Sequence, residues 1–236
     1  TWDGSAWVQL GADIDGEAAD DLSGGSVSMS SDGSRVAIGA RLNDGNGNAS
    51  GHVRVYSWDG SAWVQLGSDI NGEAAEDQSG YSVSLSSDGS RVAIGARYND
   101  GNGNDGGQVR VYDWDGSSWT QVDGDIDGEA AGDWSGHSVS LSSDGSRVAI
   151  GALLNSGNGL AAGHVRVYSL PSPSCEVTWY NDQNVQVGMG KVFDPVAANA
   201  VDPGVPGNYS FYAECTCADG CASERAEAVF TVNPLP

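Results

Sequence analysis

Short runs of alternating apolar and small residues recur along the first two thirds of the chain, separated by glycine-rich turns. In "SVSLSSDGSRVAIGA" at Ser82–Ala96, the branched residues Val83, Leu85, Val92 and Ile94 alternate with serine, alanine and glycine. A period of two is typical of β-strands, and an Asp-Gly pair between two such runs favours a β-hairpin. The segment therefore predicts a hairpin in which Leu85 faces Val92 and Val83 faces Ile94.

This hairpin sequence occurs three times in the chain. The same fifteen residues return at Ser138–Ala152 and, with one substitution, at Ser26–Ala40. Trp2, Trp58 and Trp114 mark the repeat at intervals of 56 residues. A second pair of runs, "VRVYSW" and "AWVQLG", predicts another hairpin and so four strands per repeat. Repeats of this length are supersecondary units that bury their faces against one another.

The two faces of the first hairpin differ in size. One face carries branched side chains, and the other carries only small residues, namely Ser82, Ser84, Ala93 and Gly95. Such a sheet should be covered on both sides, as the blades of a β-propeller are. For the second hairpin, a two-residue turn at Asp59-Gly60 would place Tyr56 opposite Trp63. We therefore expect an all-β domain of propeller-type, four-stranded repeats over residues 1–169.

The pattern changes after the third repeat. The stretch "LPSPS" at 170–174 has the composition of a linker. Residues 175–236, the C-terminal segment or tail, also alternate between apolar and polar residues but have a different composition, with "CEVTWYND" early and "FYAEC" late. A Trp on an early strand and a Tyr-rich late strand predict a small immunoglobulin-like sandwich.

The tail also contains all the cysteines of the chain. An even number in a small β-rich domain indicates disulfide bonds formed outside the cytosol. Cys215 and Cys217 would point to the same face of a strand, so they are not expected to bond each other. The pairing is otherwise open among Cys175, Cys215, Cys217 and Cys221.

Composition limits the partners of the chain. The formal net charge is −22, with 32 Asp and Glu against 10 Lys and Arg. So acidic a surface repels nucleic acid and anionic membranes, and it suits divalent cations. No apolar run is long enough to span a bilayer, so membrane insertion is not expected. Because Thr1 is not an initiator methionine, we expect a processed chain or a piece of a longer one.

Catalysis is not expected from this sequence. His52 and His164 occupy equivalent repeat positions, but the middle repeat has Gln108 there, so neither is an indispensable base. No nucleophile elbow, zinc-protease motif or nucleotide-binding loop is present in the sequence. We therefore expect a protein that is not an enzyme.

Three acidic connectors are candidate calcium sites. Calcium takes six to eight oxygen ligands, and an alternating Asp-x-Asp-Gly-Glu run can wrap one side of the ion. The alternative is a solvated acidic loop whose aspartates cap turns. The candidate ligands are Asp13, Asp15, Glu17 and Asp21, then Asp69, Asn71, Glu73 and Asp77, then Asp125, Asp127, Glu129 and Asp133.

Repeated aromatic residues are candidate ligand contacts. Trp58 and Trp114 lie beside acidic and amide residues, where exposed rings can stack on sugars. The same rings can instead pack across strands. We keep Trp58 and Trp114 as candidate glycan-binding residues, with packing as the alternative.

Two resemblances extend this interpretation. The repeat, with "SGYSVSLSSDGSRVAIGA" and "GGQVRVYDW", resembles the FG-GAP repeats of integrin-α-like β-propellers, although the family's calcium loop is shortened here to "SSDGS". The tail, which ends "TVNPLP", resembles the Ig-like modules of giant secreted surface proteins of Bacteroidetes. These resemblances imply an extracellular or cell-surface protein.

Two functional hypotheses follow. The first is a non-enzymatic surface module for adhesion or structural assembly, with self-association, filaments or other surface proteins as partners. The second is a carbohydrate-binding head of a secreted glycan-degrading system. Because propellers typically have at least four blades, the sequence does not determine how three repeats would close. The N-terminal "WDGSAWVQLG" could complete the last repeat beside "GHVRVYS". The other arrangements are further repeats before Thr1, three sheets closed as a triangular prism, assembly from several chains, and a filament of stacked repeats.

Overall fold

The structure, a computed structural model, describes residues 2, 4–171, 176–189, 195, 205, 207–216 and 226–232. The chain divides into two compact units, Thr1–Ser172 and Pro173–Pro236. This division lies inside the linker expected at 170–174. All the named elements are β-strands, and the described residues contain no helix of the length and apolarity needed to cross a bilayer.

The first unit consists of three antiparallel sheets, called blades 1 to 3. Blade 1 contains β1 (Ser23–Met29), β2 (Arg35–Ala40), β3 (His52–Trp58) and β4 (Trp63–Gln65), in that order, with β5 (Ile70–Asn71) paired to β3. Blade 2 repeats this order with β6 (Ser82–Leu85), β7 (Arg91–Ala96), β8 (Gln108–Trp114), β9 (Trp119–Gln121) and β10 (Ile126–Asp127). Blade 3 contains three strands, β11 (Ser135–Leu141), β12 (Arg147–Ala152) and β13 (His164–Ser169).

The first hairpin of each repeat has the expected register. Leu85 pairs with Val92 and Val83 pairs with Ile94, which confirms the prediction. The turn contains four residues rather than two, because the backbone amide of Ser86 already donates to the carbonyl of the residue opposite it. The branched side chains therefore share one face of the blade.

The second hairpin differs from the prediction by two positions. Trp58 pairs with Trp63, so Tyr56 does not face Trp63. The amide of Asp59 donates to the carbonyl of Ala62, so the two-residue turn is Gly60-Ser61, one residue later than expected. The carboxylate of Asp59 accepts hydrogen bonds from the amides of Ser61 and Ala62, and this local bonding stabilises the turn at Gly60-Ser61 over the one expected at Asp59-Gly60.

Neighbouring blades pack face to face, as the two hairpin faces predict. The branched face of blade 2 shares a buried cluster with Ala37, Val53 and Val55 of blade 1. On its other side, blade 2 contributes Ala93 to a cluster that includes blade 3 residues. The small face permits close approach, because a Cβ on Gly39 would collide with the carbonyl oxygen of Gly80.

The two outer faces of the stack are open to solvent. Val27 of blade 1 is 63% exposed, whereas its counterpart Val83 in blade 2 is 8% exposed. On the opposite outer face, Val165 of blade 3 is 67% exposed, whereas its counterpart Val109 is fully buried. Each outer face therefore exposes apolar side chains that the interior blade buries.

The N-terminal segment lies beside blade 1 and not in blade 3. The indole Nε1 of Trp63 donates to the carbonyl of Leu10 at 3.0 Å, just as that of Trp119 donates to the carbonyl of Leu66 at 2.8 Å. The segment therefore occupies the position that the end of blade 1 takes beside blade 2. The expectation that it completes the last repeat is wrong within this chain, and no described residue supplies blade 3 with a fourth strand.

The described part of the second unit is one antiparallel sheet. Its strands are β14 (Glu176–Asn181), β15 (Gln186–Met189), β16 (Gly207–Thr216) and β17 (Ala226–Val232), in the order β15-β14-β16-β17. The immunoglobulin-like sandwich stays a prediction. The disulfide prediction lies outside the described residues for Cys175, Cys217 and Cys221, and only the backbone of Cys215 is described.

Candidate functional site

The first aspartate of each acidic connector bonds within its own repeat. Its carboxylate accepts a hydrogen bond from the glutamine four residues earlier, at 2.7 to 2.9 Å. The pairs are Gln9 with Asp13, Gln65 with Asp69, and Gln121 with Asp125. This contact joins the end of the fourth strand to the start of the connector.

The second and third connector positions meet an arginine of the following blade. Arg110 Nη2 donates to the backbone carbonyl of Asn71 at 2.8 Å, and Arg110 Nη1 lies 3.7 Å from the carboxylate of Glu73. The same contacts join Arg54 to Asp15 and Glu17, and Arg166 to Asp127 and Glu129. Burial raises the pKa of Asp127, and the neighbouring Asp125 acts in the same direction.

The last aspartate of each connector is buried and structural. Asp77 accepts the backbone amide of Ala74 and the side-chain amide of Asn99, both at 3.0 Å. Burial raises the pKa of Asp77, and the hydrogen bond from Asn99 opposes this effect. Asp21 and Asp133 make the equivalent contacts.

The first, third and fourth candidate side chains of a connector therefore contact a glutamine, an arginine and an asparagine respectively, and the second position contacts the same arginine through its backbone carbonyl. Among the described residues, the group of metal-ligand side chains that does converge joins two connectors: Glu17, His52 and Asp69, whose ligand atoms lie within 4.8 Å of one another. Burial lowers the pKa of His52, while Asp69 and Glu17 oppose the shift. An imidazole with two carboxylates suits a transition-metal ion better than calcium.

Calcium binding by the connectors stays a prediction. The ion would have to replace the glutamine, arginine and asparagine contacts described above. If it binds, thermal stability should rise by mass action, and the first and third connectors should bind more tightly than the second, where Asn71 is neutral. Melting curves in chelator and in millimolar calcium, at fixed ionic strength, test this expectation, and unmoved curves would contradict it.

The shortened turns "SSDGS" are held by hydroxyl groups. The carboxylate of Asp32 accepts hydrogen bonds from the hydroxyls of Ser30 and Ser34 and from the amide of Ser34. These bonds, the one from Ser30 first, lower the pKa of Asp32 to about 2. Asp88 and Asp144 make equivalent bonds.

The candidate glycan residues Trp58 and Trp114 take part in packing between repeats. Trp114 is buried, and its ring centroid lies 5.4 Å from that of Trp119. Trp58 and Trp63 form the same contact at 5.4 Å. A Cβ on Gly67 would collide with the ring of Trp114, so the backbone that follows the fourth strand of blade 1 lies close against this ring. The packing alternative therefore describes Trp114, whose ring is not free to stack on a sugar.

A cluster of aromatic residues around Arg97 was missed by the sequence analysis. The guanidinium carbon of Arg97 lies 3.8 Å from the ring centroid of Tyr81, 4.3 Å from Tyr98 and 5.1 Å from Trp134. His137 lies 5.2 Å from Tyr81, and burial, followed by the charge of Arg97, lowers the pKa of His137. All five side chains are partly exposed. We call this group the Arg97 cluster.

The signal that could have found the Arg97 cluster is variation between repeats. The position of Tyr81 is Gly25 in the first repeat and His137 in the third. The position of Trp134 is leucine in the first repeat and glutamine in the second, and that of Tyr98 is leucine in both other repeats. Positions that differ among near-identical repeats converge here in space.

Comparison with known proteins supports the repeat assignment. The FG-GAP repeat family model matches residues 71–112, which include β6, β7 and most of β8. No curated protein is significantly similar to the chain. The middle repeat is thus similar to an FG-GAP repeat, in agreement with the propeller-type sheets.

Two solved structures are distantly similar. A candidate 6-phosphogluconolactonase from Bacteroides uniformis is 12% identical, with 88% of this chain and 55% of that chain covered and a TM-score of 0.42. The periplasmic gluconolactonase PpgL from Pseudomonas aeruginosa is 10% identical, with 88% of each chain covered and a TM-score of 0.32. The chain spans about half the length of the first protein. At these TM-scores, neither similarity supports a conclusion about activity.

Proposed function

We propose that the chain is a non-enzymatic extracellular module that acts in structural assembly, in which blade 3 of one copy packs onto blade 1 of another. The observation that carries this proposal is the pair of open blade faces. Each exposes apolar residues whose counterparts are buried between blades, as Val27 and Val165 show against Val83 and Val109. The FG-GAP match supports an extracellular setting.

The internal contacts define the geometry of this assembly. Between blades 1 and 2, the hydroxyl of Ser26 donates to the carbonyl of Gly80 at 2.7 Å, and the amide of Leu85 donates to the hydroxyl of Ser28 at 2.9 Å. Blades 2 and 3 repeat both contacts. By the same geometry, Ser138 would donate to Gly24 of a second copy.

The outer face of blade 3 has room for that contact. A depression on this face is lined in part by Ser138, Gly151 and Val165. In blade 2, the hydroxyl of Ser82 donates to the carbonyl oxygen of Gly136 at 2.7 Å, and this oxygen lies where a Cβ on Gly95 would be, while Val109 lies next to the Cβ position of Gly136. The depression thus has the lining that receives a glycine carbonyl of the next blade.

The missing fourth strand of blade 3 supports the same arrangement. In blade 2, β9 covers the edge of β8, with Trp119 opposite Trp114. In blade 3 the edge of β13 has no partner strand among the described residues. The N-terminal hairpin, in which Trp2 pairs with Trp7, has the sequence of a fourth strand, and no strand of the described residues pairs with it as a third strand. In a second copy it would lie where β13 needs a partner.

Sedimentation of the full chain over a range of concentrations tests the proposal. We expect the mean mass to rise with concentration. Val27→Glu should prevent this rise, because it would bury an unpaired charge in the contact. Asp100→Ala, in an exposed loop, serves as the control. A wild-type chain that stays monomeric at every concentration would contradict assembly.

A further inference from the structure

The Arg97 cluster has features of a binding site. Three aromatic rings have centroids within 5.1 Å of the guanidinium carbon of Arg97, and cation–π contacts of this kind restrict its orientation. Its Nε is buried and has no hydrogen-bond partner among the described residues. Among the described residues, the guanidinium therefore contacts aromatic rings, and the hydrogen-bonding capacity of its Nε is unused.

A second arginine lies close to this cluster. The guanidinium of Arg41 lies 5.8 Å from the ring centroid of Tyr81. Within the described ranges, neither Arg41 nor Arg97 forms an ion pair, whereas Arg54, Arg91 and Arg110 each lie beside a carboxylate. The chain has 32 acidic and 10 basic side chains, and these two arginines share Tyr81 as a neighbour. They form a local cationic site on an acidic protein.

The packing of a repeat does not by itself require the side chains of the Arg97 cluster. The third repeat has Leu153 and Leu154 at the positions of Arg97 and Tyr98, and its hairpin has the same register as that of the second repeat. The fold therefore accepts leucine at both positions. Arginine and tyrosine in the middle repeat add a chemistry that the third repeat lacks.

We propose that the Arg97 cluster binds the carboxylate of an acidic sugar residue, such as a hexuronate of an extracellular polysaccharide. The N–H edge of a stacked guanidinium matches a carboxylate in two parallel hydrogen bonds. Arg41 adds a second positive charge. The exposed parts of Trp134 and Tyr98 provide apolar ring surface for the C–H groups of the sugar. Neutral His137 can both donate to and accept from hydroxyl groups.

Isothermal titration of the full chain with trigalacturonate tests this site. We expect saturable binding, no binding of neutral trigalactose, and weaker or absent binding of triglutamate, which has carboxylates without sugar rings. Arg97→Leu and Tyr98→Leu, which introduce residues that other repeats already carry, should each weaken binding by about tenfold or more. Arg97→Lys should not restore it, since an ammonium lacks the planar fork.

Two controls separate this proposal from loss of folding and from assembly. Melting temperatures of the variants show whether the blades remain folded, and Arg147→Leu, on an exposed arginine of blade 3, should leave affinity unchanged. Val27→Glu should also leave affinity unchanged, because the site does not depend on contact between copies. Failure of the wild type to bind trigalacturonate, equal binding of trigalactose, preferential binding of triglutamate, or an Arg97→Leu variant with wild-type affinity would each overturn the proposal.

Discussion

His52 lies almost fully buried between two connectors, where its Nδ1 is 3.8 Å from the carboxylate of Glu17. Its Nε2 has no hydrogen-bond partner among the described residues. Burial lowers the pKa of His52, and the nearby Asp69 and Glu17 only partly offset that effect. The middle repeat avoids the cost of a buried titratable group, because Gln108 donates to Glu73 at 3.0 Å in the same position.

This environment predicts a pH dependence of stability. The unfolded chain binds a proton at His52 more readily than the folded chain, so the free energy of unfolding should fall as pH drops below about 6.5, the unfolded pKa. The loss should stop below the lowered pKa of the folded state. Urea unfolding at about pH 7 and pH 5 should show a smaller decrease for His52→Gln than for the wild type. Equal decreases in both proteins would contradict this account.

At the scale of the element, each hairpin is stabilised by its position in the stack. Val83 is 8% exposed between blades 1 and 2, whereas Val27, at the same repeat position, is 63% exposed. Val83→Ala should therefore lower the free energy of unfolding by about 1 to 3 kcal/mol. Val27→Ala should change it by about 0.5 kcal/mol or less. Equal effects of the two substitutions in dilute, monomeric protein would show that the packing of the blades is wrong.

The sequence predicts the first hairpin well because its period of two and its face asymmetry allow one register only. It fails at the second hairpin, because the carboxylate of Asp59 accepts the amide of Ala62 and the turn lies one residue later than expected. The number of carboxylates suggests calcium. The carboxylate of Asp77 instead accepts a hydrogen bond from the side chain of Asn99, which is 22 residues away along the chain. The Arg97 cluster joins residues from two blades, and no local sequence pattern predicts a contact between residues so far apart in the chain.

At the scale of the whole molecule, net charge opposes the proposed assembly. Copies with a formal charge of −22 repel one another, while the open blade faces attract through apolar contact. Salt screens the repulsion and leaves apolar burial intact, so association should strengthen between about 0.02 and 0.3 M sodium chloride. Sedimentation at the two salt concentrations measures this effect. Dissociation at high salt would mean that ion pairs hold the copies together.

The proposed contact is heterologous, because the blade 3 face of one copy meets the blade 1 face of another. Val27→Glu blocks the blade 1 face, and Val165→Glu blocks the blade 3 face. Each variant alone lacks one half of the contact, but an equal mixture retains one intact pair of faces. Sedimentation equilibrium of each variant and of the mixture therefore tests the account most directly. We expect two monomeric variants and a mixture that forms dimers and nothing larger; a mixture that stays monomeric, or either variant assembling alone, would contradict the account.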